Sequence, residues 1–406
     1  MNNRQQGIRR GRARRRIQTC IHNSIAWCAV TVIATQVCAI EFTPLGDLPG
    51  VDLGGRANGI SADGLTAVGG DGSSTLIEAF RWTETDGVQG LGYLPNGTLT
   101  SSANAASADG AVIVGYSNTP NGNEAFRWTE ASGMIGLGDL SGGTYQSIAN
   151  GVSADGSVIV GFSESANGPE AFRWMEGGAM AGLGDLPGGV GGNPFFSRAF
   201  DTSADGSVIV GESKSANGDE AFRWTDASGM IGIGDLPGGN FSSSSLAVSA
   251  DGLTVVGVGS NLTSREAFRW TEAEGMVGLG DLMGGDFRSL ARGVSADGTV
   301  IVGESETSRG SEAFVWDASN GMQNVHDILE GSGINMAGWL LQSATGVSAD
   351  GTRVVGFGIN PSGNREAWLA DLSLNPSPPR GVLATSSNNS VVYSITLDTG
   401  DLTALG

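Results

Sequence analysis

The chain has 406 residues, 42 acidic against 22 basic, and a formal net charge of −20. A surface this acidic repels nucleic acid and anionic lipid, which excludes both as expected partners. Its 67 glycines and 12 prolines fall short of the one-quarter or so that marks low-complexity disorder, so a folded, turn-rich chain is expected.

Residues 1–39 read as a targeting segment. Seven arginines (Arg4, Arg9, Arg10, Arg12, Arg14, Arg15 and Arg16) precede an uncharged apolar stretch over 25–39 that ends Val37-Cys38-Ala39. This is the plan of a signal peptide cleaved after Ala39; an uncleaved anchor is the alternative. All three cysteines (Cys20, Cys28, Cys38) fall inside it. The remainder has no thiol, hence no disulfide, thiolate metal site or cysteine nucleophile. It carries all 42 acids and is still more acidic than the whole.

From residue 40 the chain repeats. Ser-Ala-Asp-Gly begins at Ser61, Ser107, Ser153, Ser203, Ser249, Ser295 and Ser348, mostly 46 residues apart. Glu-Ala-Phe-Arg-Trp, or a close variant, begins at Glu78, Glu124, Glu170, Glu220, Glu266, Glu312 and Glu366. A Leu-Gly-Asp-Leu block begins at Leu45, Leu91, Leu137, Leu183, Ile233, Leu279 and Val325. Each unit holds four short β-branched or aromatic runs separated by turn residues. Examples are 149–153, 158–161 and 170–174 in the third copy and 134–140 in the second. Asp-Gly between the first two is a hairpin signal. A glycine after the second run recurs seven times, from Gly69 to Gly356, and implies a backbone constraint or a close neighbour.

Four antiparallel strands per unit of about 46 residues predict an all-β, seven-bladed β-propeller over 40–374; a β-solenoid is the alternative. The last unit lacks a fourth strand of its own, and 45–48 stands unpartnered before the first Ser-Ala-Asp-Gly. The N-terminal strand can therefore complete the last blade; with the fourth-type strand innermost the same chain gives seven intact blades instead. Residues 375–406 read as a Pro-rich linker followed by one extra β-hairpin.

The three blocks, in this order, resemble the HAF-type extracellular repeat family of bacteria, over about residues 45–370. The family's His-Ala-Phe histidine is glutamate in all seven copies here, so no metal role for that histidine transfers. The resemblance implies a secreted or cell-surface protein and names neither an activity nor a partner.

Candidate sites follow from departures within the repeat. His326, the sole histidine beyond residue 39, would have to serve any Ser-His-Asp triad; its alignment with a repeat glycine instead suggests a tolerated surface or edge substitution. The sets Glu78, Arg81, Trp82; Glu124, Arg127, Trp128; Glu170, Arg173, Trp174; Glu220, Arg223, Trp224; and Glu266, Arg269, Trp270 repeat together and read as structural. Aromatics fill the space between blades, and each Arg meets an acid of its own or the next unit. Val315 and Leu369 replace that Arg in the last two units. Apolar residues eight positions before each Ser (Leu53, Leu99, Tyr145, Phe195, Phe241, Phe287, Leu340) read as a plug at one end of each blade. Length variation gathers at 189–194 and 330–341, on one face, with Phe196 and Trp339 as candidate binding anchors.

No cofactor is expected. The acidity admits calcium, although no Asp-x-Asp-x-Asp-Gly loop occurs. The expected function is a non-catalytic secreted or surface module that binds a protein or glycan. The alternative is a propeller enzyme acting on extracellular polysaccharide.

Overall fold

The computed structural model describes residues 40–49, 54–72, 76–188, 196–262 and 264–373, with strands Ala384–Thr385, Val392–Thr396 and Asp401–Ala404 beyond them. Residues 1–39, where a signal peptide is expected, and the 189–194 insertion lie outside the described residues. No helix among the described residues is long and apolar enough to cross a membrane.

Seven four-stranded antiparallel blades form from the seven units. Blade 1 is Arg56–Ile60, Thr66–Gly72, Ile77–Thr83 and Gly87–Gly90 in that order. Blades 2 to 6 repeat it, and one parallel bridge, Asp219 to Ser242, links blades 4 and 5. Blade 7 takes Leu340–Val347, Arg353–Ile359 and Arg365–Asp371 from the C-terminal side and Glu41–Pro44 from the N-terminal side. The closing strand thus runs four residues earlier than 45–48. The tail expected as a hairpin is a three-stranded antiparallel sheet: Val392–Thr396 pairs with Asp401–Ala404 and also with Ala384–Thr385.

Seven apolar clusters, one per interface, hold the blades together. Between blades 1 and 2, Val68 and Ala79 of the first face Ala103, Ile113, Phe126 and Trp128 of the second. Alternation along the third strand explains this: Phe and Trp look back to the preceding blade, Ala and Arg forward to the next. The six phenylalanines from Phe80 to Phe314 are essentially fully buried, each contributing roughly 1.5–3 kcal/mol by its removal from water.

Leu-Gly-Asp-Leu is a wedge rather than a fourth strand. That strand ends before it, at Gly90 and Gly136 in blades 1 and 2, and Leu91 and Leu94 are buried beyond its end. The wedge is fixed by the glutamate of Glu-Ala-Phe-Arg-Trp. Oε1 of Glu124 accepts from the amide of Gly138 at 3.0 Å, and Glu78, Glu170, Glu220 and Glu266 do the same. At the seventh interface Leu45 and Leu48 wedge blade 1 against Val355, Ala367 and Leu369 of blade 7.

Ser-Ala-Asp-Gly is a complete turn. Ser153 Oγ donates to Asp155 Oδ1 and accepts from the amide of Val158, while Asp155 also accepts from the amide of Ser157. The alanine adds an inter-blade bond. The amide of Ala108 donates to Ala154, Ala154 to Ala204, Ala204 to Ala250, Ala250 to Ala296, Ala296 to Ala349 and Ala349 to Ala62, while Asp63 donates to Ala108. Seven hydrogen bonds of 2.8–3.1 Å form an unbroken circle, so the fold closes on itself and is not a solenoid.

Candidate functional site

The first strand of every blade faces one central cavity of about 220 Å³, so these seven strands are innermost. In each, one residue is bulged out of the ladder, between Ala57 and Gly59 in blade 1 and at equivalent points in the others. A bulge re-aims the side chain of its extra residue. Here that residue, three positions before each Ser, is Asn58, Asn104, Asn150, Phe200, Leu246, Arg292 or Thr345, and all seven line the cavity.

The four polar members from Thr345 through Asn150 bridge blades. Asn104 Nδ2 donates to the carbonyl of Ala149 at 2.9 Å, Asn150 to Ala199, Asn58 to Ala103 and Thr345 Oγ1 to Ala57. Blades 4 to 6 break this pattern with Phe200, Leu246 and Arg292. Arg292 forks onto Glu304 at 3.2 and 3.1 Å. One position on, where other blades have Gly or Ala, blade 4 has Asp201. Burial among protein groups raises its carboxyl to about 6, against the pull of hydrogen bonds from the amides of Val248 and Thr202.

Lower on the inner strands, Arg56 lies 4.7 Å from the ring centroid of Phe357, and Arg365 lies 5.9 Å from the same centroid. Arg198, the counterpart of Arg56 in blade 4, stacks on Phe162 and Phe196 at 4.8 and 4.9 Å and pairs with Glu212 at 3.9 Å.

A second departure is in blade 6. His326 takes the place of the wedge glycine, whose φ is near +76° in Gly92 and Gly138, a conformation costly for a side-chain-bearing residue. The chain instead forms α1, Val325–Gly331, capped by Asn324, with Val325 and Leu329 filling the wedge. His326 is therefore buried in a helix and is not the surface or edge substitution expected. Glu312, 1% exposed, loses its glycine amide and is held by Arg309 at 2.9 Å. Arg309 also reaches Asp327 at 3.5 Å, and Met283 and Leu282 complete a pocket of about 420 Å³ there.

The repeated arginines meet acids of their own or the next blade in four of the five sets. Arg81 reaches Asp86 and Glu130, Arg127 reaches Glu176, Arg173 reaches Asp226 and Arg269 reaches Glu274, at 2.6–3.6 Å. Arg223 departs from expectation: its Nε donates to the carbonyl of Gly252. These acids are more than half exposed, so each pair contributes little. Arg81 and Arg173 also stack on Trp128 and Trp224 of the following blade, which the motif alone did not announce. Val315 and Leu369 pack into the apolar interfaces instead.

Of the loop anchors, Phe196 is half buried under Arg198 and Lys214. Trp339 is half buried too and meets Phe42 of the closing strand edge-on at 5.0 Å, so it packs the closure. Leu53 and Phe195 lie outside the described residues, and the described members of the apolar set before each Ser are no uniform plug, since Leu99 and Phe287 are 52% and 38% exposed. No three His, Cys, Asp or Glu converge to hold a metal among the described residues. The inner-strand residues were missed by motif reading. Their signal was the column three before each Ser, which changes chemical type where its neighbours stay small.

No family model matches the chain, and no curated protein matches it. Among solved structures it is similar to TolB from Acinetobacter baumannii (12% identity, 64% of this chain and 63% of that one, TM-score 0.45). It is also similar to a putative TolB from Agrobacterium tumefaciens (15% identity, 82% and 97%, TM-score 0.40) and to the Dos1 propeller (10% identity, 82% and 95%, TM-score 0.46). The chain thus spans less than two thirds of the first of these. At such identities the likeness concerns the fold.

Proposed function

We propose that this propeller is a non-catalytic binding module, exported from the cell, that takes a protein or glycan at its central channel. One observation carries the reading. The frame residues repeat from blade to blade, whereas the channel wall departs from the repeat at Phe200, Asp201, Leu246 and Arg292. A scaffold can vary where it binds without disturbing what holds it together. Asp201 is the one carboxylate among the residues lining the cavity, and a glycosidase needs a pair. The resemblance of the repeats to extracellular HAF-type units supports export.

Screening the purified chain and a Phe200→Ala, Arg292→Ala double variant on glycan and protein arrays tests this. A ligand retained by the native chain and lost by the folded variant is expected. Retention by both would move the site off the channel.

A second reading, an enzyme acting on polysaccharide, has Glu312 and Asp327 on its side, because both line the blade 6 pocket. Arg309 ties up both carboxylates. Release of reducing ends from an acidic or neutral polysaccharide, abolished by Glu312→Gln, would establish it.

A further inference from the structure

We propose that Arg56 and Arg365, which share the ring of Phe357, form a binding site for an oxyanion, the carboxylate or sulfate of an acidic ligand. The inference rests on the binding reading and adds an anionic ligand chemistry outside the central cavity, whose lining residues do not include Arg56, Arg365 or Phe357.

The repeat supplies an internal control. In blade 4, Arg198 stacks on the preceding blade's Phe162, and its cross-strand neighbour is Glu212, which pairs with it. In blade 1, Arg56 stacks on the preceding blade's Phe357 in the same way, but its cross-strand neighbour is Gly70. No acid pairs with Arg56 or Arg365 among the described residues, and Arg365 Nε is buried without a hydrogen-bond partner. Among the described residues, two guanidinium groups therefore share one ring with no acid paired to either.

Arg292 of the channel wall is near enough to act on Arg56, and its own charge is forked onto Glu304. The crowding is felt by Arg56, whose pKa is lowered by burial first and by Arg365 and Arg292 next, with Glu304 alone opposing. A cation–π contact at a partly exposed site contributes only about 0.5–1 kcal/mol, so the ring does not replace a counter-ion.

The chain's net charge of −20 does not neutralise the cluster either. At about 0.15 M salt, charges beyond roughly 8 Å are screened, and the local excess decides. Arg56 is exposed and can be reached from solvent. Planar guanidinium forks match the paired oxygens of carboxylate, sulfate and phosphate, whereas a neutral sugar offers them no charge.

The test is calorimetric titration of the full chain with trigalacturonate, with inorganic sulfate and with maltotriose as the neutral control. Saturable binding of at least one anionic probe and none of maltotriose is expected. Arg56→Gln and Arg365→Gln should each weaken it at least about tenfold, the loss of one charge-assisted contact. Both should keep a thermal midpoint within about 2 °C of the native chain. Arg198→Gln, whose guanidinium already has Glu212, should leave binding unchanged. Preference for trigalacturonate over sulfate would assign the ligand to acidic saccharides, and the reverse to a sulfated or phosphorylated one. No binding of either anion, or equal affinity in both Gln variants, overturns the site. If a neutral glycan or a protein is then bound equally by native chain and Arg56→Gln, the oxyanion site falls while the binding module stands.

Discussion

The amide of Ala349 in the last blade donates to the carbonyl of Ala62 in the first at 2.8 Å, across 287 positions of sequence. The bond is the same one that Ala108 makes to Ala154, in a turn of the same sequence. The closing interface is therefore built as the internal ones are, although its wedge and its outer strand arrive from the far end of the chain. That equivalence has a measurable consequence. Leu45→Ala, at the closing interface, and Leu91→Ala, at an internal one, remove leucines of similar burial, 5% and 8% exposed. Each should cost about 3 kcal/mol. Urea unfolding followed by tryptophan fluorescence should show one transition with an unchanged slope for both. A split transition in Leu45→Ala alone would mean that the N-terminal strand is a separable latch.

Acid should unfold the chain in part through its turns. Hydrogen bonds from the hydroxyl and amide of Ser207, then from Ser203, hold the Asp205 carboxyl down to about 2, below its ordinary 3.8. A depressed acid contributes stability fully above its unfolded value, and the contribution is lost as pH falls through the folded one. The stability difference between the native chain and Asp205→Ala should therefore be constant above about pH 5 and shrink between pH 4 and 2. Parallel curves through that window would show that the turn does not depend on the charge.

Asp201 has the opposite sign. Burial in the channel wall raises its carboxyl from 3.8 to about 6. The folded state then holds its proton more tightly than the unfolded chain, so this residue's contribution falls as pH rises from about 4 to 6 and is level above. Asp201→Asn cannot ionise and should lack that slope, although it gives up an acceptor for the amide of Val248. Denaturant midpoints at half-unit intervals from pH 4 to 7 decide it. The same slope in both chains would place the titration elsewhere.

Repetition made the frame legible. Ser-Ala-Asp-Gly and Glu-Ala-Phe-Arg-Trp could be read correctly because each hydrogen bonds within its own unit or packs on an identical neighbour. The seven-fold glycine within the second strand is also explained: a Cβ on Gly161 would lie 1.9 Å from the carbonyl oxygen of Ile148 on the paired strand. Leu-Gly-Asp-Leu was misread as a strand because leucine spacing does not report the positive φ of its glycine, which turns Leu137 and Leu140 toward the next blade. The channel residues were hidden for a different reason. A one-residue bulge reverses which side chain faces inward, and only ring closure brings Arg56 onto Phe357, some three hundred positions away. His326 looked like a tolerated exchange, yet a side chain in place of a left-handed glycine required a new local structure, the helix α1.

That exchange has left Glu312 dependent on Arg309 for its counter-charge. In blade 2 the equivalent Glu124 receives the amide of Gly138; in blade 6 the guanidinium of Arg309 takes over, with Nη2 2.9 Å from Oε1 and Nε 3.1 Å from Oε2, aided by Thr307. Glu312 is fully buried, and a buried carboxylate stripped of its partner bears its whole desolvation penalty. Arg309→Ala should therefore destabilise the chain by about 3 kcal/mol, far more than a half-exposed arginine usually does. The cause can be separated from lost packing. Glu312→Gln removes the charge and keeps the shape, so adding it to Arg309→Ala should restore much of the loss, while alone it should cost less than Arg309→Ala. A double-mutant cycle by urea denaturation measures this coupling. Arg309→Ala within about 0.5 kcal/mol of the native chain, or no recovery in the double variant, would mean that Glu312 is held by something other than the ion pair.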